Sequence, residues 1–63
     1  MYIQITIGVD NDAFQPEPGH EVARMLTLVA DKLNEDPRLV LDTHEVLTDH
    51  NGNTCGLLTV GEA

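Results

Sequence analysis

The sequence predicts a small two-layer α+β domain of order β-α-β-β, in which one helix packs on one face of a small sheet. Three observations predict it: the alternating segment "YIQITIGV" at the start, a long amphipathic segment in the middle, and an Asn-Gly dipeptide between two apolar runs near the end. The 63 residues have room for one domain, residues 1–63, with the hairpin at its C-terminal end.

The first segment alternates apolar and polar residues with period two, which is typical of a half-buried strand. Its apolar members are Ile3, Ile5, Ile7 and Val9. We expect these four side chains to make the largest single contribution to the core. The turn-forming residues 10–12 then end the strand. Phe14, the only phenylalanine, is expected to cap the edge of the core rather than to serve as a stacking platform.

The middle segment predicts a helix that begins with Pro18 in its first turn and ends at residues 34–36, because Pro37 prevents continuation. A stripe spaced for one helix face predicts the buried side. The stripe is formed by Val22, Leu26, Val29 and Leu33, widened by Met25 and Ala30. Glu21 falls on the opposite side, within reach of Arg24 one turn later.

The last part of the chain predicts a β-hairpin around Asn51-Gly52. A two-residue turn would place Thr48 opposite Cys55 and Val46 opposite Leu57, whereas a longer turn would shift this register. Before the hairpin, residues 38–42 form either a short strand or an irregular apolar segment.

Gly56 interrupts the second hairpin strand. A glycine inside a strand pattern indicates either a bulge or a place where another backbone comes close.

A chain of this length has a marginal core and usually needs a disulfide, a metal or a partner subunit. Cys55 is the only cysteine, so no intrachain disulfide can form. We therefore expect a homodimer, formed through the open sheet face or a sheet edge. Leu28 falls away from the centre of the helical stripe, so we expect it to be partly exposed and to be a further candidate contact. The single cysteine, the lack of a long apolar run and the lack of a signal-like start favour the cytoplasm.

The charge balance restricts the partners. Eleven carboxylates face only Arg24, Lys32 and Arg38, which gives a formal net charge of −8. Such a surface repels nucleic acid and anionic lipid, so neither direct nucleic-acid binding nor membrane binding is expected. It is attracted to a basic protein surface, although negative charge also serves solubility alone.

Two groups of carboxylates, before the helix start and at the helix end, are the candidate partner-binding residues. Spread over a small body, they can imitate the negative field of a nucleic-acid backbone and occupy the basic groove of a host protein. The candidates are Asp10, Asp12, Glu17, Glu21, Asp31, Glu35 and Asp36.

The stretch "DHNGNTCG" resembles a calcium-binding loop but lacks two of the residues that such a loop requires. Counted from Asp49, the position that requires glycine is Thr54 and the position that requires glutamate is Val60. The spacing of His44, His50 and Cys55 matches no zinc arrangement either. We therefore predict a turn, with no metal and no cofactor.

Enzymatic activity is not expected. The chain contains no serine, and a Cys55–His50 couple would lack an orienting third group. A domain this small cannot enclose a substrate pocket, and no glycine-rich phosphate loop follows the first strand.

The motifs "DNDAF", "EVARML" and "DHNGNTCG" make the chain resemble short proteins of unknown function encoded by phages and prophages. The resemblance implies a fold rather than a site, and it favours a counter-defence or regulatory role. The first hypothesis is therefore an inhibitor of a host defence or nucleic-acid-processing protein in the bacterial cytoplasm. The second is a dimeric structural or regulatory phage module. The third is an oligomer that sequesters a nucleotide signal, with Arg24 or Arg38 contacting phosphates at subunit interfaces.

Overall fold

The computed structural model describes residues 1–62 and contains one α-helix and a three-stranded antiparallel sheet. The prediction of an α+β domain of order β-α-β-β is confirmed. The elements are β1 (Tyr2–Ile7), a 3-10 helix (Asp12–Phe14), α1 (Pro18–Glu35), β2 (His44–Thr48) and β3 (Thr54–Gly61).

Helix α1 has the predicted bounds. Pro18 occupies the first turn, and the N–H of Asp36 donates to the carbonyl of Lys32 at 3.0 Å to close the last turn. The buried stripe, however, runs through Met25 and Val29, while Leu26 is 41% exposed. No helix within residues 1–62 has the length and apolarity needed to cross a membrane.

The strand order is β1-β3-β2, so β3 is central and both other strands are edges. Ile3 lies opposite Val60 and Ile5 opposite Leu58, which places these isoleucines on the face that carries the core. Yet Ile3 is 40% and Ile5 38% exposed. The expectation that β1 makes the largest contribution to the core is therefore wrong. Met25 and Val29 of α1 share the core cluster with residues of β2 and β3, so α1 covers these two strands and leaves much of β1 open.

Phe14 is the most buried side chain, with 0% exposure. The 3-10 helix holds it in place, and the side-chain oxygen of Asn11 caps this helix by accepting the N–H of Ala13 at 3.0 Å. Phe14 is thus a core residue, as expected, but it is fully enclosed rather than capping an edge. The other buried core residues are Ala13, Met25, Val29, Leu47, Leu58 and Val60.

The hairpin forms with a longer turn than two residues. Val46 lies opposite Leu57 as predicted, but Leu47 pairs with Gly56 and Thr48 with Thr54. Cys55 is consequently an extra residue in β3, which makes a β-bulge.

Gly56 combines the two predicted features, a bulge and a close approach of another backbone. It adjoins the bulge, and a Cβ atom built on it would lie 2.6 Å from the carbonyl oxygen of Thr6 in β1. The close approach of β1 to β3 at this point therefore depends on the missing side chain.

Residues 38–42 are irregular, which selects the second of the two predicted alternatives. The segment is attached to β3 because Asp42 donates its N–H to the carbonyl of Val60 at 2.9 Å. Its apolar side chains remain open: Val40 is 63% exposed.

The accessible surface is 4469 Å². A folded monomer of 6.9 kDa is expected to expose about 4,000 Å². The excess agrees with the uncovered apolar side chains at β1 and in residues 38–42.

Candidate functional site

Asp49 organises the hairpin turn. Its Oδ1 accepts the N–H groups of Asn51 at 2.8 Å and Asn53 at 3.0 Å, and its Oδ2 accepts the side-chain amide of Asn11 at 2.8 Å. The residue is only 4% exposed. The carboxylate oxygens are thus occupied by the turn itself and by the segment before the 3-10 helix. The prediction that "DHNGNTCG" is a turn is confirmed.

Glu21 is not an exposed partner-binding residue, and its predicted place on the open side of the helix is wrong. Its side chain is 7% exposed. Arg24 donates to both carboxylate oxygens, at 2.8 and 2.7 Å, and the N–H of His50 donates to Oε2 at 2.8 Å. Glu21 thus attaches the first turn of α1 to the hairpin turn. The sequence indicated the Arg24 contact, but nothing local indicates that a backbone N–H 29 residues later requires an acceptor.

The pKa values of both buried carboxyl groups are lowered. The hydrogen bonds from Arg24 lower the pKa of Glu21, and they outweigh the opposing effect of burial. Burial by itself raises the pKa of Asp49, but the N–H groups of Asn53 and Asn51 and the amide of Asn11 outweigh it. Both groups are therefore ionised at neutral pH.

The lowered pKa values of Glu21 and Asp49 predict that the protein loses stability in acid. A group whose pKa is lower in the folded state contributes stability above its unfolded-state pKa, about 4, and loses it as the pH falls through the folded-state value. We expect the melting temperature to be nearly constant from pH 7 to about pH 5 and to fall below that. The measurement is thermal unfolding followed by circular dichroism between pH 7 and pH 2.5.

The variant Asp49→Asn should melt lower at pH 7 and show a shallower decline in acid. Asp31→Asn is the matched control, because Asp31 is exposed and is in no ion pair or side-chain hydrogen bond within residues 1–62. If Asp49→Asn and the wild type lose the same number of degrees over this range, the assignment is refuted.

Cys55 is half-buried against the core. Its Sγ lies 3.9 Å from the Sδ of Met25 and 3.8 Å from the carbonyl oxygen of Leu47. Burial raises the pKa of the Cys55 thiol, and the nearby charges of Asp49 and Glu21 raise it further. Nucleophilic cysteines and zinc ligands require the thiolate, so this environment suits packing. Residues 1–62 contain no group of three or more His, Cys, Asp or Glu arranged to hold a metal ion.

Every lysine and arginine is held in an ion pair within the chain. Besides Arg24 with Glu21, Lys32 contacts Glu45 at 2.9 Å and Arg38 contacts Asp36 at 3.1 Å. The basic residues that the third hypothesis assigns to phosphate are thus already paired with carboxylates. A phosphate at Arg24 or Arg38 would lie beside one of these carboxylates, and the like charges would repel each other.

The remaining candidate carboxylates are exposed and fall into two groups at opposite ends of α1. An 18-residue helix is about 27 Å long, so the two groups do not form one patch. The group at the helix start is Asp10, Asp12 and Glu17, and the group at the helix end is Asp31, Glu35 and Asp36. In the first group Glu17 already contacts His20 at 3.2 Å.

The carboxylates at the helix end border a groove between α1, β2 and residues 36–43, which we call the acidic groove. It consists of two adjoining depressions of about 350 and 360 Å³ that share Val29, Lys32, Glu35 and Leu47. Asp31 borders one depression and Asp36 the other. The further lining residues are Met25, Leu28, Leu33, Arg38, Leu39, Val40, Thr43, Glu45, Val46, Thr48, Leu58 and Val60.

The acidic groove combines charge with uncovered apolar surface. Leu28 is 49% exposed beside Asp31 and Glu35. The exposure of Leu28 was predicted from its place beside the helical stripe. The groove itself was not predicted as part of a site, because the proximity of β2 to the end of α1 exists only in the folded chain.

No family model matches the chain, and neither a curated protein nor a solved structure shows significant similarity to it. The resemblance to short phage proteins therefore stays a prediction from the sequence motifs.

Proposed function

We propose that this protein is a non-enzymatic binding protein that docks its acidic groove onto a basic segment of a partner protein. The observation that carries the proposal is the juxtaposition of Asp31 and Glu35 with the uncovered side chain of Leu28. Protein interfaces commonly pair an apolar centre with a polar rim, and the groove has both parts.

The charges favour a basic partner. The chain's own cations are paired with Glu21, Asp36 and Glu45, whereas Asp31 and Glu35 are in no ion pair with a lysine or arginine of residues 1–62. A partner lysine or arginine can contact these carboxylates and lay its aliphatic stem on Leu28. The net charge of −8 speeds the encounter at low ionic strength.

The consequence for the partner is inhibition. A basic surface on a defence or nucleic-acid-processing protein binds phosphate backbones, and an acidic body seated there excludes them. The resemblance to phage proteins supports a bacterial host protein as the target. The second candidate, a dimeric structural or regulatory module whose acidity serves solubility, is favoured by one observation, the uncovered outer edge of β1.

The test is capture from a bacterial host lysate at low ionic strength, followed by titration with the purified partner. We expect a basic protein to be retained and its dissociation constant to rise at least tenfold between about 50 and 300 mM NaCl. The variant Asp31→Asn/Glu35→Gln should bind about tenfold more weakly, because two rim carboxylates are lost.

The matched control is Asp10→Asn/Asp12→Asn, which removes the same charge at the other end of α1. It should change the dissociation constant less than about twofold. Equal losses in both variants would mean that only net charge matters and would reject the groove. An empty capture at low ionic strength would reject the proposal as a whole.

A further inference from the structure

Within residues 1–62, the outer edge of β1 presents backbone groups that no other strand pairs with. Val60, opposite Ile3, directs its N–H to Thr43 and its carbonyl to Asp42, at 3.1 and 2.9 Å, and so faces away from β1. At the other end of the pairing, the N–H of Gly8 donates to the carbonyl of Cys55 at 2.8 Å. Since alternate residues of a strand direct their backbone groups to the same side, the even residues of β1 face β3. The odd residues Ile3, Ile5 and Ile7 face outward.

This edge lacks the devices that normally protect an edge strand from pairing. Residues 2–9 contain no charged residue and no proline, although the chain has a net charge of −8. The bulge lies in the β2–β3 pairing instead. The other edge strand, β2, carries Glu45 in an ion pair with Lys32. The protection is thus confined to one edge of the sheet.

The side chains at the β1 edge are also uncovered. Ile3, Ile5 and Val9 are 40, 38 and 37% exposed although the two isoleucines lie on the core face of the sheet. The helix of the same chain does not cover them. A neighbouring strand with its own isoleucines on the same face would do so.

We propose that β1 pairs antiparallel with β1 of a second copy, so that two sheets join into one of six strands. A twofold axis at Ile5 places Ile5 opposite its own copy and Ile3 opposite Ile7 of the partner subunit. In this register the outward N–H and carbonyl groups of the three isoleucines bond to their counterparts. Odd residues meet odd residues, so both helices lie on the same face and the exposed isoleucines cover one another.

A second copy suits this edge better than the basic partner does. The strand has no carboxylate with which to attract lysine or arginine, so its recognition is by hydrogen bonds and apolar contact. Two chains of net charge −8 repel each other, and β1 lets them meet without placing carboxylates in direct opposition. Isologous pairing is the usual way in which a surface recognises itself.

The dimer is independent of the proposed function. The salt dependence of binding distinguishes dimerisation from binding to a basic partner. Screening weakens the repulsion between two acidic chains, so dimerisation should strengthen with NaCl, whereas binding to a basic partner should weaken. The measurement is sedimentation velocity over a concentration series at about 50 and 500 mM NaCl. We expect a dimer whose dissociation constant is lower at the higher salt.

The variant Ile5→Lys places two like charges at the twofold axis and should weaken the dimer at least about 100-fold. His44→Lys is the matched control, because His44 is exposed on the other edge strand. It should dimerise like the wild type. A wild-type monomer at millimolar concentration, or a dimer more sensitive to His44→Lys than to Ile5→Lys, would overturn the proposal.

A second variant keeps the test valid if Ile5→Lys does not fold. In a Cys55→Ala background, Ile5→Cys should form a disulfide-linked dimer under mild oxidation, because opposed residues of antiparallel strands lie within disulfide reach. His44→Cys in the same background should form no disulfide-linked dimer. A crosslink at residue 44 and none at residue 5 would assign the interface elsewhere.

Discussion

Replacing Phe14 by alanine is expected to remove a large part of the protein's free energy of unfolding. Phe14 has no exposed surface, and truncation of such a side chain costs about 3–5 kcal/mol because it removes buried area and leaves a cavity. A domain of 63 residues has a total stability of about 3–9 kcal/mol. Urea titration followed by circular dichroism measures the loss.

Tyr2→Ala is the matched control, because Tyr2 is the chain's other aromatic residue and is 49% exposed. It should unfold close to the wild type. Phe14→Leu should lie between the two, since it keeps an apolar side chain in the cavity. A Phe14→Ala variant with the urea midpoint of the wild type would contradict the central place of this side chain.

Gly56→Ala is expected to destabilise the protein by about 1–3 kcal/mol through overpacking. The added Cβ would lie 2.6 Å from the carbonyl oxygen of Thr6 and 3.3 Å from side-chain atoms of Ile7 and Leu47. A backbone oxygen held in the sheet cannot turn aside as a side chain can, so β1 and β3 must move apart. The urea midpoint measures the effect.

Gly19→Ala makes the same chemical change where there is room. Gly19 lies in the first turn of α1, and a Cβ there meets nothing within 4 Å. Because alanine favours a helix, this variant should gain up to about 1 kcal/mol. If Gly56→Ala were as stable as Gly19→Ala, the close approach at Gly56 would be refuted.

Much of the local structure could be predicted from the sequence. Pro18 and Pro37 bracket α1 because proline fits the first turn of a helix and forbids its continuation. The alternation in β1 and the Asn-Gly turn likewise act over a few residues. The pairing of Val46 with Leu57 was also predicted, although the bulge at Cys55 changed the pairs nearer the turn.

The candidate site was predictable only in part. The carboxylates at the end of α1 and the exposure of Leu28 follow from composition and helical spacing. The burial of Glu21, which removes it from the candidate residues, does not follow from the sequence. Glu21 is buried because it accepts the N–H of His50, which lies in a distant turn. The pairing of Lys32 with Glu45, which leaves Asp31 and Glu35 without an intrachain cation, likewise requires β2 to lie beside α1.

By itself, the sequence determined the elements, their order along the chain and the acidic character of the surface. These depend on backbone preferences and charges that act within a few residues. Only the tertiary structure decided that β3 is central, that β1 is an uncovered edge and that the acidic groove opens at one end of the helix. Each of these depends on contacts between segments tens of residues apart, such as Ile5 with Leu58, and such contacts leave no periodic signal in the chain.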